Sequence, residues 1–224
     1  SLTSNVTGDY AILAAEISQG NWTQVGVVAG WIFLFFFGGF VANLSVINFN
    51  KKSKYFAHAL QIILEIMCLL AVGIYGQFYY TKTLAETEVL AALMLFSTGL
   101  QNGLTASISN FSVKTTHLTG TTTDLGILVS MFTQKKFRKN PELIARAKLL
   151  SSIMAAYLLG AVFSGLTYYH LEFRVFYVIS FCLLVVIGYD FYTINIRHFR
   201  TEYRYYKIYH KPTWIAFLYY RIHN

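Results

Sequence analysis

The sequence has little charge, few cysteines and none of the motifs that mark the common enzyme classes. Of its 224 residues, 12% are Asp, Glu, Lys or Arg, about half of the share that is usual in soluble domains. Cys68 and Cys182 lie far apart in apolar runs, so they predict neither a disulfide nor a cysteine metal site. Because G-x-S-x-G, H-E-x-x-H and phosphate-binding glycine motifs are missing, the sequence predicts no catalytic residue, no metal ligand and no cofactor. Its six scattered histidines leave open a di-metal site assembled from different helices.

Long apolar runs dominate what the sequence does contain. Each has at most one Asp, Glu, Lys or Arg, and they are Val25–Phe49, Tyr55–Thr81, Val89–Val113, Leu149–Tyr169 and Val175–Ile196. A membrane-spanning helix needs roughly 20 predominantly apolar residues, and every run reaches that length. With a mean hydropathy of +0.47, the runs predict an all-α polytopic membrane protein.

The positive charge lies beside these runs. The formal net charge is +8, and fifteen of the eighteen Lys and Arg residues fall within positions 51–54, 135–148 and 197–221. Cytoplasmic loops gather basic residues in this way. We therefore predict that these segments and both chain termini are cytoplasmic, whereas Lys82–Glu88 and Tyr169–Arg174 are external. The same placement argues against a nucleic-acid partner.

The interval Val89–Gln134 lies between a segment predicted to be external and a basic segment predicted to be cytoplasmic. It must therefore cross the membrane an odd number of times. Its 46 residues are too many for one helix and too few for three. We predict a broken element: a helix over Val89–Phe111, a non-helical stretch over Ser112–Gly120 and a second helical piece to Phe132. Threonines and a glycine weaken a helix there, and a membrane tolerates such a break where it lines a cavity. The alternative is two hairpin-linked helices, which would place the following basic segment outside.

A polar phrase inside this interval occurs twice in the chain. TSNVTG at Thr3–Gly8, the first motif, aligns with TTHLTG at Thr115–Gly120, the second motif, after a shift of 112 positions. Each is followed by a short apolar piece and two long runs. This predicts two repeats, about 1–84 and 85–199, with three crossings each and a broken helix at each T-G motif. Three is an odd number, so the repeats have opposite orientations, as in secondary transporters whose broken helices build the substrate site.

The repeat also sets expectations for the whole chain. A full helix precedes the second motif, so we expect a corresponding helix upstream of Ser1. Residues 1–199 form a single transmembrane domain, and residues 200–224 form a basic, aromatic tail on the cytoplasmic membrane surface. Six crossings resemble half of a major-facilitator transporter, which suggests a homodimer. Gly99 and Gly103 form a G-x-x-x-G pattern that favours close helix contact.

Three segments carry a resemblance to a known family: TSNVTGD at Thr3–Asp9, GLQNGLTASI at Gly99–Ile108 and VKTTHLTGTTTDLG at Val113–Gly126. The chain resembles the YoaK-type family of bacterial multi-pass membrane proteins, a domain of unknown function. Lys114 stands where that family commonly has arginine, and Asp9 where it commonly has asparagine. The resemblance implies a multi-pass protein of the bacterial cytoplasmic (inner) membrane and brings no substrate or reaction.

Polar residues at the two motifs and in the QN segment are the candidate site. Ionisable groups inside a membrane cost roughly 2.5–3.5 kcal/mol each on insertion scales, so each of them needs a reason. The candidate substrate-binding residues are Asn5, Thr7, Asp9, Gln101, Asn102, Lys114, His117, Thr119 and Asp124. A helix that starts near Gly120 would point its positive end at an anionic group, with Lys114 as the counter-charge. Glu65 and His117 are the proton-coupling candidates.

The polar residues also have plain structural interpretations. Asn102, Thr105 and Ser109 share a helix face and could form hydrogen bonds between helices. Thr119 could cap the second helical piece, and Glu65 could be satisfied by a neighbouring helix.

The function that fits best is a small secondary transporter for a small polar or anionic solute, with proton coupling as a hypothesis. Its partners would be the lipid bilayer, the solute and a second copy of the chain. One alternative is an intramembrane enzyme for a lipid or quinone-like substrate, with His117, Asp124 and Glu65 as catalytic or metal groups. The other is a sensor or assembly factor that transports nothing.

Overall fold

The regular structure of the chain is helical wherever it is described. The computed structural model describes residues 6–49, 54–109 and 116–209, with the backbone alone at Lys54 and at residues 194–209. The helices are α1 Val6–Gln19, α2 Trp22–Phe49, α3 Lys54–Phe78, α4 Leu84–Ile108, α5 Leu118–Phe132, α6 Lys135–Arg138, α7 Pro141–Leu171 and α8 Val175–Tyr209. A single 3-10 turn, Glu172–Arg174, lies between α7 and α8. The prediction of an all-α protein is confirmed for these residues.

Four of the described helical stretches are long and apolar enough to cross a membrane. They are Trp22–Phe49, Tyr55–Phe78, Leu84–Ile108 and Pro141–Thr193. The last contains 53 residues and includes α7, the 3-10 turn and the first part of α8. At 1.5 Å per residue its helices amount to about 80 Å measured along the chain, more than twice the hydrocarbon thickness of about 30 Å, and the 3-10 turn separates α7 from α8. The prediction of a helical membrane protein is confirmed at this level, and the six-crossing inverted repeat stays a prediction.

The prediction of a loop over Lys82–Glu88 is wrong for most of its length, because α4 already begins at Leu84; the external location of this segment stays a prediction. Thr83 accepts a hydrogen bond from the backbone N–H of Glu86, and the Glu86 carboxylate accepts one from the backbone N–H of Thr83. This reciprocal pair is a capping box, a strong local signal for a helix start. The apolar run Val89–Val113 predicted the part of α4 with membrane-like hydropathy. The polar first turn of α4 lies before that run and was therefore not predicted.

The last two long helices also extend beyond the apolar runs that predicted them. Helix α7 begins at Pro141, eight residues before the predicted Leu149, because Asn140 accepts hydrogen bonds from the backbone at the helix start. Helix α8 continues to Tyr209 instead of ending at Ile196. Polar and basic residues extend both helices beyond their apolar runs.

Helices α2 and α4 cross in close contact. A methyl group added to Gly38 would lie 2.9 Å from the backbone nitrogen of Leu100, and one added to Gly99 would meet the carbonyl oxygen of Phe35. Gly103 approaches the Cα of Gly39 so closely that an added Cβ would lie 2.8 Å from it. The two backbones therefore touch, and small residues permit this approach as they do in membrane helix pairs. The close contact predicted from Gly99 and Gly103 is confirmed.

Other helices pack around this crossing. Helix α3 contacts both α2 and α4, α1 contacts α2, and α5 contacts α7. The buried Gln61 of α3 donates from Nε2 to the carbonyl oxygen of Ala42 at 2.8 Å, which ties α3 to α2. The chain divides into two compact units, Ser1–Phe181 and Cys182–Asn224. The features described below lie in the first unit.

Candidate functional site

A cavity of about 600 Å³ lies where the two T-G motifs meet the crossing of α2 and α4. We call it the motif cavity. Its lining comes from the start of α1, from α2, from α4 and from the start of α5. The lining residues are Val6, Thr7, Phe35, Phe36, Gly39, Phe40, Gly99, Asn102, Gly103, Ala106, Thr116, His117 and Thr119.

Asn102 of α4 holds the second motif in place. Its Nδ2 donates to the Thr116 hydroxyl at 2.6 Å, and its Oδ1 accepts from the Thr116 backbone N–H at 3.3 Å. Asn102 is buried, so both bonds are made away from bulk water, where an unpaired carboxamide would be costly. The Asn102 side chain thus holds the segment before α5 in contact with α4.

The break in the helical backbone is at His117, which has φ −86° and ψ 57° and occupies the N-cap position of α5. No side chain caps this helix start. Helix α5 begins at Leu118, so the predicted start near Gly120 is wrong by two residues, and so is the structural interpretation of Thr119 as the cap. An added Cβ at Gly120 would lie 2.6 Å from Cε1 of the His117 ring. The glycine of the motif therefore leaves room for the His117 ring beside the first turn.

The motif cavity has two chemically different sides. Phe35, Phe36 and Phe40 supply aromatic rings from α2, whereas hydroxyls, a carboxamide and an imidazole come from the motifs and from Asn102. Gly39, Gly99 and Gly103 of the crossing complete the lining between these two sides.

The structure brings together four of the nine predicted substrate-binding residues. Thr7, Asn102, His117 and Thr119 line the motif cavity, and both motifs are represented. Gln101, Asp9 and Asp124 are not part of the lining. Asn5 and Lys114 lie outside the described residues. The function of the set as a binding site stays a prediction.

Asp124 has a different partner. Its carboxylate forms an ion pair with Arg146 of α7 at 2.9 Å, and both side chains are largely exposed. This pair links α5 to α7 at the surface. The sequence singled out Asp124 by its position after the second motif, but the helical turn carries it away from the cavity.

The predicted proton-coupling residues lie in different places. His117 is exposed at the motif cavity, whereas Glu65 is buried in α3 and does not belong to the lining. Within the described part of the chain, no hydrogen bond or ion pair to the Glu65 carboxylate is formed, and Oε1 of the neighbouring Gln61 is buried without a hydrogen-bond partner. The two residues therefore do not form one site.

The aromatic side of the cavity was missed by the sequence reasoning. Phe35, Phe36 and Phe40 belong to an apolar run whose residues all suit a membrane helix, so nothing in their type marks a binding surface. The only local signal is the glycine pair at positions 38 and 39 in the middle of this run, which indicates close approach of another backbone.

A family model described as a protein of unknown function, DUF1275, matches residues 1–189. The chain belongs to the DUF1275 family. The matched region of this DUF1275 protein contains both motifs and every lining residue of the motif cavity. No curated protein and no solved structure matches the chain. The predicted membership of a family without an assigned function is confirmed, and the YoaK-type assignment stays a prediction.

Proposed function

We propose that this DUF1275 protein is a small secondary transporter that binds its solute in the motif cavity. The observation that carries the proposal is the meeting of two similar motifs, 112 positions apart, at one cavity beside breaks or starts of helices. Transporters with inverted repeats bind substrates between discontinuous helices in this way. A sensor or assembly factor would need no such space between its polar residues.

The repeat interpretation gains support from the helices that follow the motifs. The described part of α1 starts at Val6, inside the first motif, and α5 starts at Leu118, inside the second motif. We propose that α1 and α5 are the equivalent half-helices of two inverted repeats, and that the chain has six crossings in all. The bacterial cytoplasmic membrane and cytoplasmic termini belong to the same proposal.

The lining suggests the chemistry of the solute. Polar contacts would come from Thr7, Asn102, Thr119 and His117, and the uncapped N–H groups at the start of α5 favour a carbonyl or carboxylate oxygen. The phenyl rings favour an apolar portion on the other side. We therefore propose a small solute that has both a hydrogen-bonding end and an apolar end.

The enzyme hypothesis has less support, because it requires His117, Asp124 and Glu65 to act together. Asp124 is paired with Arg146, and Glu65 lies on α3 away from the cavity lining. No observation favours this alternative over a transporter.

Ligand-induced stabilisation tests the proposal. The purified protein would be heated in detergent with a panel of amino acids, monocarboxylates, nucleobases and sugars, and any hit would be tested for uptake into proteoliposomes. A solute at 100 times its Kd adds about 2.7 kcal/mol to the stability of the folded state. We expect a hit whose effect is lost in His117→Ala and in Thr119→Val.

Thr122→Val is the matched control, because Thr122 lies on the same helix, is exposed and bonds only to the carbonyl oxygen of Leu118. It should keep the effect of the solute. If a solute stabilises the two cavity variants as much as the wild type, binding occurs elsewhere and the motif cavity is not the site. If the hit is never taken up by proteoliposomes, the transporter assignment is wrong.

A further inference from the structure

Helix α1 carries a buried acid that the motif cavity does not use. Asp9 lies in its first turn and is only 6% exposed, and its Oδ2 has no hydrogen-bond partner among the described residues. Two turns further along the same helix, Oε2 of Glu16 is also buried without a partner. The inward face of α1 thus holds two carboxylates where a short packed helix normally carries apolar residues.

The equivalent helix of the second repeat shows that packing does not require these acids. A shift of 112 positions in the proposed repeat places Thr121 opposite Asp9 and Leu128 opposite Glu16, and both α5 residues are buried, as Asp9 is. The Thr121 hydroxyl donates to the carbonyl oxygen of His117 at 3.0 Å, so it is satisfied within its own helix. The same fold position is therefore filled at no electrostatic cost in α5 and by an unpartnered carboxyl group in α1.

The described residues of α2 offer no counter-charge to Asp9, and the titratable His117 lines the same cavity as Thr7 of α1. Helix α1 packs against α2, and Trp22–Phe49 contains no Asp, Glu, Lys, Arg, His, Cys or Tyr. On α1 itself the other ionisable side chains are Tyr10, which is exposed, and the acidic Glu16. Among the described residues the ion pair lies elsewhere, between Asp124 and Arg146.

The surroundings favour a proton over a metal ion. Hard cations take several oxygen ligands at once, whereas α2 presents an uncharged face to Asp9. No group of three or more His, Cys, Asp or Glu side chains that could hold a metal ion occurs in the part of the chain that the structure describes. A single carboxyl group in such a place can lose its charge only by binding a proton.

We propose that Asp9 is the proton-binding site of this protein, and that its protonation seats α1 against α2. This inference rests on the proposed transport function for its consequence, because Thr7, two residues before Asp9, lines the motif cavity. When the Asp9 carboxyl group is protonated, it is buried between the helices. When it is ionised, its need for hydration draws the start of α1 toward water. Proton binding would then change the wall of the motif cavity, which is how a proton gradient could drive the solute.

The first test needs no solute. Thermal unfolding of the purified full chain would be measured between pH 4 and pH 8 for the wild type, Asp9→Asn and the control Glu142→Gln, which alters an exposed acid in the first turn of α7. Because the folded state holds the Asp9 proton more tightly than the unfolded chain, this contribution to stability is present at low pH. It is lost as the pH rises and the folded state releases that proton.

We therefore expect the wild type to lose stability relative to Asp9→Asn as the pH rises, whereas Glu142→Gln follows the wild type. If Asp9→Asn fails to fold, Asp9→Thr, which copies the solution that α5 uses at Thr121, replaces it. Parallel pH profiles of the wild type and the Asp9 variant would overturn the proposal.

The second test uses proteoliposomes and a solute identified as described above. An inward proton gradient should accelerate uptake at least several-fold in the wild type and leave Asp9→Asn unaffected, although both proteins bind the solute. Gradient-driven uptake by Asp9→Asn would refute the role of Asp9 in coupling. If the pH profiles differ as expected and the wild type moves no solute, the proton site stands and the transport function fails.

Discussion

Gly38 is a position where a single methyl group should strongly destabilise this fold. It lies in α2 at the crossing with α4, and the three atoms nearest to a Cβ built on it all belong to the α4 backbone. The Cβ of Gly38→Ala would lie 2.9 Å from the nitrogen of Leu100, 3.1 Å from the carbonyl carbon of Gly99 and closer still to the carbonyl oxygen of Phe96. A side chain could rotate away from such a contact, but a helical backbone cannot.

The size of the effect follows from these distances. Ordinary contact begins at 3.4 Å, so relief of the Leu100 contact alone requires the helices to separate by about 0.5 Å. Separation of this size weakens the dispersion contacts along the crossing, and overpacking of a close-packed core typically costs about 1–3 kcal/mol. Gly30, two turns earlier in α2, has nothing within 4 Å of its Cβ position. There alanine should stabilise the helix by up to about 1 kcal/mol through its better helix propensity.

The measurement is reversible unfolding of the two variants from mixed micelles into SDS, followed by circular dichroism and by the fluorescence of the three tryptophans. We expect the free energy of unfolding to fall for Gly38→Ala and to hold or rise for Gly30→Ala, with a difference of roughly 2–4 kcal/mol between them. Equal stabilities would refute the backbone contact between α2 and α4. The motif cavity would then lose one of its walls.

Three further predictions concern polar contacts. Asn102→Ala should lower the free energy of unfolding by roughly 1–2 kcal/mol in the same SDS assay, because both bonds to Thr116 are lost; an unchanged value would mean that the second motif is held by other contacts. Thr83→Ala removes the N-cap of α4 and should cost about 1 kcal/mol, which thermal unfolding would report, and replacement by Ser should restore it. Asp124→Asn and Arg146→Gln should each change stability by less than about 1 kcal/mol, since the pair is exposed; a double-mutant cycle with a large coupling that high salt does not reduce would contradict this.

The sequence predicted the helices well because the signals for them are local. A membrane helix is a run of apolar residues, and a break in one is a cluster of threonine, glycine and polar side chains, so both can be located without knowledge of any contact. The second helical piece ends at Phe132 as predicted. Errors arose where capping decides the boundary, as at Leu84 and Pro141, since hydropathy is insensitive to caps.

The candidate site was predicted less completely, and Asp9 and Asp124 illustrate the reason. Both are acids in or after a T-G motif, and the sequence placed both in the same binding set. In the folded chain Asp9 is buried, whereas Asp124 is partly exposed and paired with Arg146. The face of a helix that becomes buried depends on the helix that packs against it. No local sequence pattern in α1 or α5 predicts that packing partner.

By itself, therefore, the sequence determined that this chain is a helical protein of membrane-like hydropathy and that it repeats a polar motif. Composition and the spacing of residues along the chain fix those properties, because neither depends on contacts between distant residues. Only the tertiary structure decided that Thr7, Asn102 and His117 share one cavity and that aromatic rings from α2 close it. These residues come from distant parts of the chain, and they meet because glycines let the backbones of α2 and α4 touch.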